Sequence, residues 1–228
     1  MIVKTHQPDL LFLLETMVSE ANTKRIIHTL GFENFDYMFS VNHMGGIWVL
    51  WNNINIMANV LLKEHRAIHM LVFYNSIQKL SVISGVYAPA QLCEKEAFWT
   101  HLLELNFVID SPWCLIGDFN ELEEFPDKKG GLITQPSRLQ RSPLFLTSIG
   151  ASSLPIQGRS FTWEKRIHGH LIYERLDRAI GRSNWSTLYP NADASHRPFT
   201  CSNHCHVLLY TSPAIVQAQR PCFRYQPN

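Results

Sequence analysis

The sequence predicts an α+β protein whose strands and helices stack in layers. Three observations predict it. Segments rich in β-branched and aromatic residues recur along the chain, separated by turns or by a single helix. The stretch Gln91–Phe107 carries Ala97, Phe98, Leu102 and Leu105 at helical spacing. The polar residues of chemical interest fall where apolar strands end, the usual address of a site on a layered sheet protein.

The elements follow in order. Leu10–Glu15 reads as a buried strand closed by a carboxylate. Ser19–Leu30 reads as a helix that Ser19 can cap and Gly31 can stop. Phe35–Val41 and Gly46–Trp51 read as strands joined tightly through His43-Met44-Gly45. Asn55–Leu62, Ala67–Tyr74 and Lys79–Tyr87 are three more, ended by Ala88-Pro89. Trp113–Ile116 is a short strand with Gly117-Asp118-Phe119-Asn120 at its end. Arg138–Ser148 reads as a helix, Phe161–Glu164 and Leu171–Tyr173 as a hairpin through His168-Gly169, and Glu174–Ile180 as a helix. Ala192–Thr200 and Val207–Tyr210 read as closing strands around Ser202–His206. The expected domain is 1–211, with 212–228 a disordered or unrelated tail.

Composition bounds the function. A chain of 228 residues makes one large domain or two small ones. With 46% hydrophobic and 17% charged residues, it is too apolar for a disordered chain. The net charge of +1 excludes a uniformly basic DNA-coating protein. The balance is uneven, because Lys128–Arg182 holds ten Lys/Arg against three Asp/Glu. Five cysteines, an odd number without a CxxC pair, support neither a disulfide framework nor a zinc ribbon, and a reduced intracellular compartment fits them best. Cys201, His204, Cys205 and His206 match no standard zinc spacing. Gly45-Gly46 is no phosphate loop, since no Lys-Ser/Thr follows. The apolar run Leu10–Leu14 is too short for a membrane span or a signal sequence. A core strand so near Met1 suggests a chain truncated at its N-terminus.

Six polar residues form a chemical kit: Glu15, Tyr87, Asp118, Asn120, Asp177 and His204. Three carboxylates, an amide, a phenol and an imidazole suit metal-assisted hydrolysis of a phosphate ester. A hard cation wants few carboxylates, one carboxylate must orient water, and a supported His can stabilise phosphoryl charge.

The ordered segments Leu13-Leu14-Glu15-Thr16, Gly45–Trp51, Tyr87-Ala88-Pro89, Gly117-Asp118-Phe119-Asn120, Phe161-Thr162-Trp163, Arg175-Leu176-Asp177-Arg178 and Ser202-Asn203-His204 carry a resemblance. Together they resemble the endonuclease/exonuclease/phosphatase superfamily, the DNase I-like fold. The flavour is similar to the endonuclease domain of plant LINE-type (non-LTR) retrotransposons and to apurinic endonucleases. The resemblance implies a four-layer α/β sandwich of two packed mixed sheets flanked by helices. It implies Mg²⁺, with Mn²⁺ as a substitute, and a DNA partner met through its phosphate backbone. It further implies Glu15 as metal ligand and Tyr87 beside the scissile phosphate. Asp118 would orient or deprotonate water, Asn120 would bind phosphate, and Asp177 would hold His204. Lys128, Lys129, Arg159 and Arg178 are the candidate backbone-phosphate contacts in the basic stretch.

Two departures from the family pattern carry consequences. The family's first core strand, with its asparagine, would lie upstream of Lys4, so this chain is expected to lack it. Asn203 stands where the family has a metal-supporting aspartate, and His206 where it has proline. Asn keeps the hydrogen bond but not the charge. The expectation is therefore an impaired DNA-nicking domain from a retroelement, monomeric, and nuclear if functional. The alternatives are a catalytically dead remnant or weak nucleic-acid binder, or a phosphoinositide or sphingomyelin phosphohydrolase of the same superfamily.

Overall fold

The central strands of the frame are largely covered on both faces, and their sequences are near-continuous apolar runs. The computed structural model describes residues 2–41, 44–198 and 202–211. Ile56–Glu64 (β4), Ala67–Tyr74 (β5) and Lys79–Tyr87 (β6) pair antiparallel in sequence. Trp113–Asp118 (β7) then joins β6 in parallel. A parallel pair needs a long crossover, and the helix Leu92–Val108 (α3) supplies it. Asp177–Arg182 (β13) and Ala151–Ser153 (β9) complete a six-stranded mixed sheet, ordered β4-β5-β6-β7-β13-β9.

The segment 174–180 was expected to be helical, and the structure corrects this. β13 is a strand with both neighbours antiparallel and residues 177–181 buried. Burial on both faces removes the period-two alternation that would distinguish such a strand from a helix.

The facing layer is smaller and split. Leu10–Leu14 (β1), Asn34–Val41 (β2) and Met44–Trp51 (β3) form an antiparallel sheet of order β1-β3-β2. Ile156–Gly158 (β10), Asp193–Arg197 (β14) and His206–Tyr210 (β15) form a second, of order β10-β14-β15. Lys128–Lys129 (β8), Trp163–Ile167 (β11) and His170–Glu174 (β12) form a third, in which β11 and β12 make the expected hairpin.

The layers are held by three apolar clusters. Ile47 and Val49 meet Ile68, Met70, Val72, Ile83 and Cys114 between the sheets. Leu102 of α3 and Phe145 of the helix Arg141–Ile149 (α4) cover the outer face of the large sheet with Trp113 and Leu115. Ile27 of the helix Glu20–His28 (α2) packs on Trp48 and Leu50. The expected order of helix, sheet, sheet and helix is therefore present.

The sequence reading missed two short helices, Ile2–His6 (α1) and Ser183–Leu188 (α5), and the short strands β8, β9 and β10. Residues 42–43 of the tight connection, the end of the closing strand at 199–200, Cys201 and the tail 212–228 lie outside the described residues. No helix among the described residues is long and apolar enough to cross a membrane.

Among the described residues, β1 pairs only with β3, and β15 only with β14. Both strands line one cleft of about 990 Å³, and no described strand lies between them. The cleft ends at Glu15, Asp118, Asp177 and His204, so the interruption of this layer reaches the candidate site.

Candidate active site

Three neighbouring strands bring one row of side chains together. Tyr87 at the end of β6 is the register partner of Asp118 at the end of β7. Asp118 is in turn the partner of Asp177 at the start of β13. Opposed residues on paired strands share a face, so phenol and both carboxylates point the same way. Gly117 permits the close approach of β7 to β6: a Cβ there would lie 2.0 Å from the Val86 carbonyl oxygen, at a φ of +144°.

The other groups arrive from separate elements. Glu15 follows β1 in the opposite layer, and Tyr87 donates its hydroxyl to Glu15 Oε1. His204 comes from the loop before β15, which an isolated bridge to Trp163 ties to the hairpin root. Glu164 N donates to Asn203 O at 3.0 Å, and Cys205 N to Thr162 O at 2.7 Å. His204 Nδ1 lies 2.9 Å from Asp177 Oδ2, the expected dyad. Glu15 and Asn120 both hold positive φ, 51° and 49°, which is uncommon for residues other than glycine. Among the described residues, Gln7, Met17, Gln78 and His168 share this backbone region.

Asn120 is turned toward Asp118. Its Nδ2 donates to Ala88 O and to Asp118 Oδ2, both at 2.9 Å, and its backbone N donates to Asp118 Oδ1 at 2.8 Å. Both amide protons are thus spent on acceptors, which also fixes the orientation of the amide. In this geometry Asn120 positions Asp118, and no side-chain donor remains for phosphate.

Burial sets the electrostatics. Asp118 is only 4% exposed. Desolvation, then the charge of Asp177, push its carboxyl far above the usual range, to about 7, although His204 and the Asn120 backbone oppose the shift. Burial alone would lower His204, but the hydrogen bond and charge of Asp177, with Asp118 and Glu15, outweigh it and raise it to about 9. Tyr87 is raised by burial and by its bond to Glu15, so it stays a neutral donor.

Asp118, Asp177 and His204 place ligand atoms within 4.8 Å of one another. His204 is protonated at neutral pH and donates to Asp177, so oxygen donors remain, with the Glu15 carboxylate nearby. Burial, and after it the charge of Asp177, raise the Asp118 carboxyl, so two carboxyl groups crowd one desolvated corner. That donor set fits a hard divalent cation. Asn203, the expected degenerate metal position, is exposed.

The basic stretch is largely neutralised within the fold. Arg178, expected to meet phosphate, is 4% exposed and pairs with Asp127 and Glu123. Lys128 lies 3.4 Å from Glu174 with little exposure, so it too is taken. Arg138 forks onto Glu174, Arg141 reaches Glu121, and Arg175 binds Glu124 and Asp127. A local excess of positive charge in sequence therefore became ion pairs with Glu174 and with carboxylates from residues 121–127. Lys129 and Arg159 remain on the surface, as do Lys165 and Arg166 of the hairpin.

Three supporting residues were not foreseen. Thr162 is fully buried, and its Oγ1 accepts from Leu176 N and Asp177 N, both at 2.9 Å. Lys95 and Arg66 also touch the site loops. Only the Phe161-Thr162-Trp163 segment carried a signal in sequence; the other two are ordinary cations on a helix and a turn.

No protein-family model and no curated protein matches the chain. Solved structures do. An AP endonuclease from Leishmania major superposes with a TM-score of 0.70 at 13% identity, covering 90% of this chain and 78% of that one. An AP endonuclease from Archaeoglobus fulgidus gives 0.65 at 14% identity, covering 92% and 91%. The chain therefore shares the fold of these endonucleases. The endonuclease domain of TRAS1, a telomere-specific non-LTR retrotransposon, shares it with a TM-score of 0.62 at 11% identity, covering 87% of this chain and 96% of that one. The resemblance to a retrotransposon endonuclease thus holds at the level of fold.

Proposed function

We propose that this chain is a metal-dependent phosphodiester hydrolase that nicks DNA with an impaired site, derived from a LINE-type retroelement and acting in the nucleus. The observation that carries the reading is the Tyr87–Asp118–Asp177 row with His204 bonded to Asp177, set on this fold. The fold likeness to AP endonucleases and to the TRAS1 domain supports DNA as substrate.

The residues divide the work. Asp118, oriented by Asn120 through two hydrogen bonds, holds the attacking water and takes its proton. His204, kept protonated by Asp177, presents its free Nε2–H to the phosphoryl oxygens, where charge builds in the transition state. Tyr87 holds the Glu15 carboxylate. Glu15, Asp118 and Asp177 are the oxygen donors that would hold Mg²⁺ or Mn²⁺, which when bound offsets negative charge on the phosphate and the leaving oxygen.

The test is nicking of supercoiled plasmid with Mg²⁺ or Mn²⁺. Nicking by the wild type, lost in Asp118→Asn and His204→Ala, supports the reading. An intact plasmid with every metal, or cleavage of phosphoinositide but not DNA, overturns it. A second reading, binding of nucleic acid without cleavage, is favoured by the cleft that opens beside Glu15 and by Asn203. Salt-dependent DNA binding without nicking would establish it.

A further inference from the structure

Two consecutive residues in the first turn of α3 reach opposite flanks of the site. Lys95 Nζ donates to the Asn120 carbonyl at 2.5 Å and to Glu121 Oε1 at 3.0 Å. The Lys95 side chain is 7% exposed and that of Glu121 fully buried. Glu94 binds Arg66 Nη2 at 2.6 Å, and the Arg66 guanidinium lies 5.3 Å from the Tyr87 ring centre. The Arg66 carbonyl also accepts from Tyr87 N at 2.9 Å. Tyr87 then reaches Glu15, while Asn120 holds Asp118.

We infer that this turn is the positioning clamp of the site, with Lys95 as the positioning residue of the Asn120–Asp118 arm and Arg66 that of the Tyr87–Glu15 arm. Neither residue bonds to the Asp118–Asp177–His204 group. The case for Lys95 is energetic. Burying an ammonium beside a carboxylate stabilises a fold little compared with an apolar side chain of similar size. What this ammonium does secure is the carbonyl of Asn120, the residue whose amide holds Asp118. Without that anchor the Asn120 amide is free to turn away from Asp118. The case for Arg66 is geometric. A guanidinium on the ring face, itself held by Glu94, leaves the phenol one orientation, toward Glu15.

The inference rests on the phosphodiesterase reading for its kinetic consequence, but its structural part is measurable without turnover. Hydrogen exchange by mass spectrometry would follow peptides spanning 118–122 and 85–88 in Lys95→Met, Lys95→Arg, Arg66→Gln and Arg66→Lys. Lys95→Met should speed exchange at 118–122, Arg66→Gln at 85–88, and neither in the β4–β5 ladder. Nicking kcat should fall about tenfold or more in both, with KM within about twofold, because each acts through another residue. The Lys95→Arg and Arg66→Lys variants should recover part of that loss.

Unchanged exchange, exchange raised throughout the sheet, or a raised KM at constant kcat would overturn the clamp. A wild type that nicks nothing would sink the phosphodiesterase reading and leave the exchange result to decide the clamp. Should Lys95→Met not fold because Glu121 is left charged and buried, the double variant Lys95→Met/Glu121→Gln removes that charge and reads the same loop.

Discussion

Asp177 Oδ2 and His204 Nδ1 meet at 2.9 Å, although one residue opens a buried strand and the other sits on a loop before the last described strand. The bond makes stability depend on pH with a definite sign. His204 is raised from 6.5 to about 9, so its contribution is full below about pH 6.5 and is lost as pH rises through 9. His204→Ala should therefore lower Tm clearly at pH 6 and little at pH 10. Thermal melts across that range check it; an equal loss at both ends would contradict the dyad.

Asp118 carries the opposite burden. A carboxyl raised from 3.8 to about 7 favours the fold while protonated, and that advantage fades as pH climbs from 4 through 7. Asp118→Asn should melt higher than the wild type above pH 7 without metal, and alike below pH 4. Added Mn²⁺ should narrow the gap by raising the wild type only. Calorimetry with and without metal measures both effects.

Thr162 is a buried acceptor for two backbone donors. Thr162→Val keeps the shape and orphans Leu176 N and Asp177 N. The loss should be about 1–3 kcal/mol in urea unfolding. Thr162→Ser should recover most of it, which distinguishes a lost acceptor from a lost methyl.

The basic stretch divides into structural and surface cations. Removing Arg178 takes one of two cations from buried Asp127, which keeps Arg175, and the ion pair from half-buried Glu123, so Arg178→Ala should cost about 1–3 kcal/mol. Lys129→Ala should leave stability within about 0.5 kcal/mol. If DNA binds here, it should also flatten the salt dependence of binding by about one unit of slope. Denaturation curves and a salt titration of DNA binding separate the two classes.

The split layer has a solution consequence. Among the described residues, β1 and β15 each leave an edge open onto an apolar cleft. Unpaired edges invite other strands, and exposed apolar surface binds dyes such as ANS. The folded chain should bind ANS without denaturant and self-associate at raised concentration. A dye-silent monomer in light scattering would contradict this.

The kit of Glu15, Tyr87, Asp118, Asn120, Asp177 and His204 was readable in linear order, because each sits at the end of an apolar run or within a short motif. The strands at 67–74 and 79–87 were readable at their observed bounds, since β-branched runs closed by turns are local patterns. Less was readable where burial erased local pattern: β13 looked helical because both its faces are covered. Charge misled for a related reason, because partners such as Glu123 and Asp127 lie about fifty residues from Arg178 in the chain. What folding decided was pairing: which carboxylate faces which, which amide protons are spent, and which cations are neutralised. Those outcomes depend on register between distant strands and on desolvation, and neither is a property of any single stretch of residues.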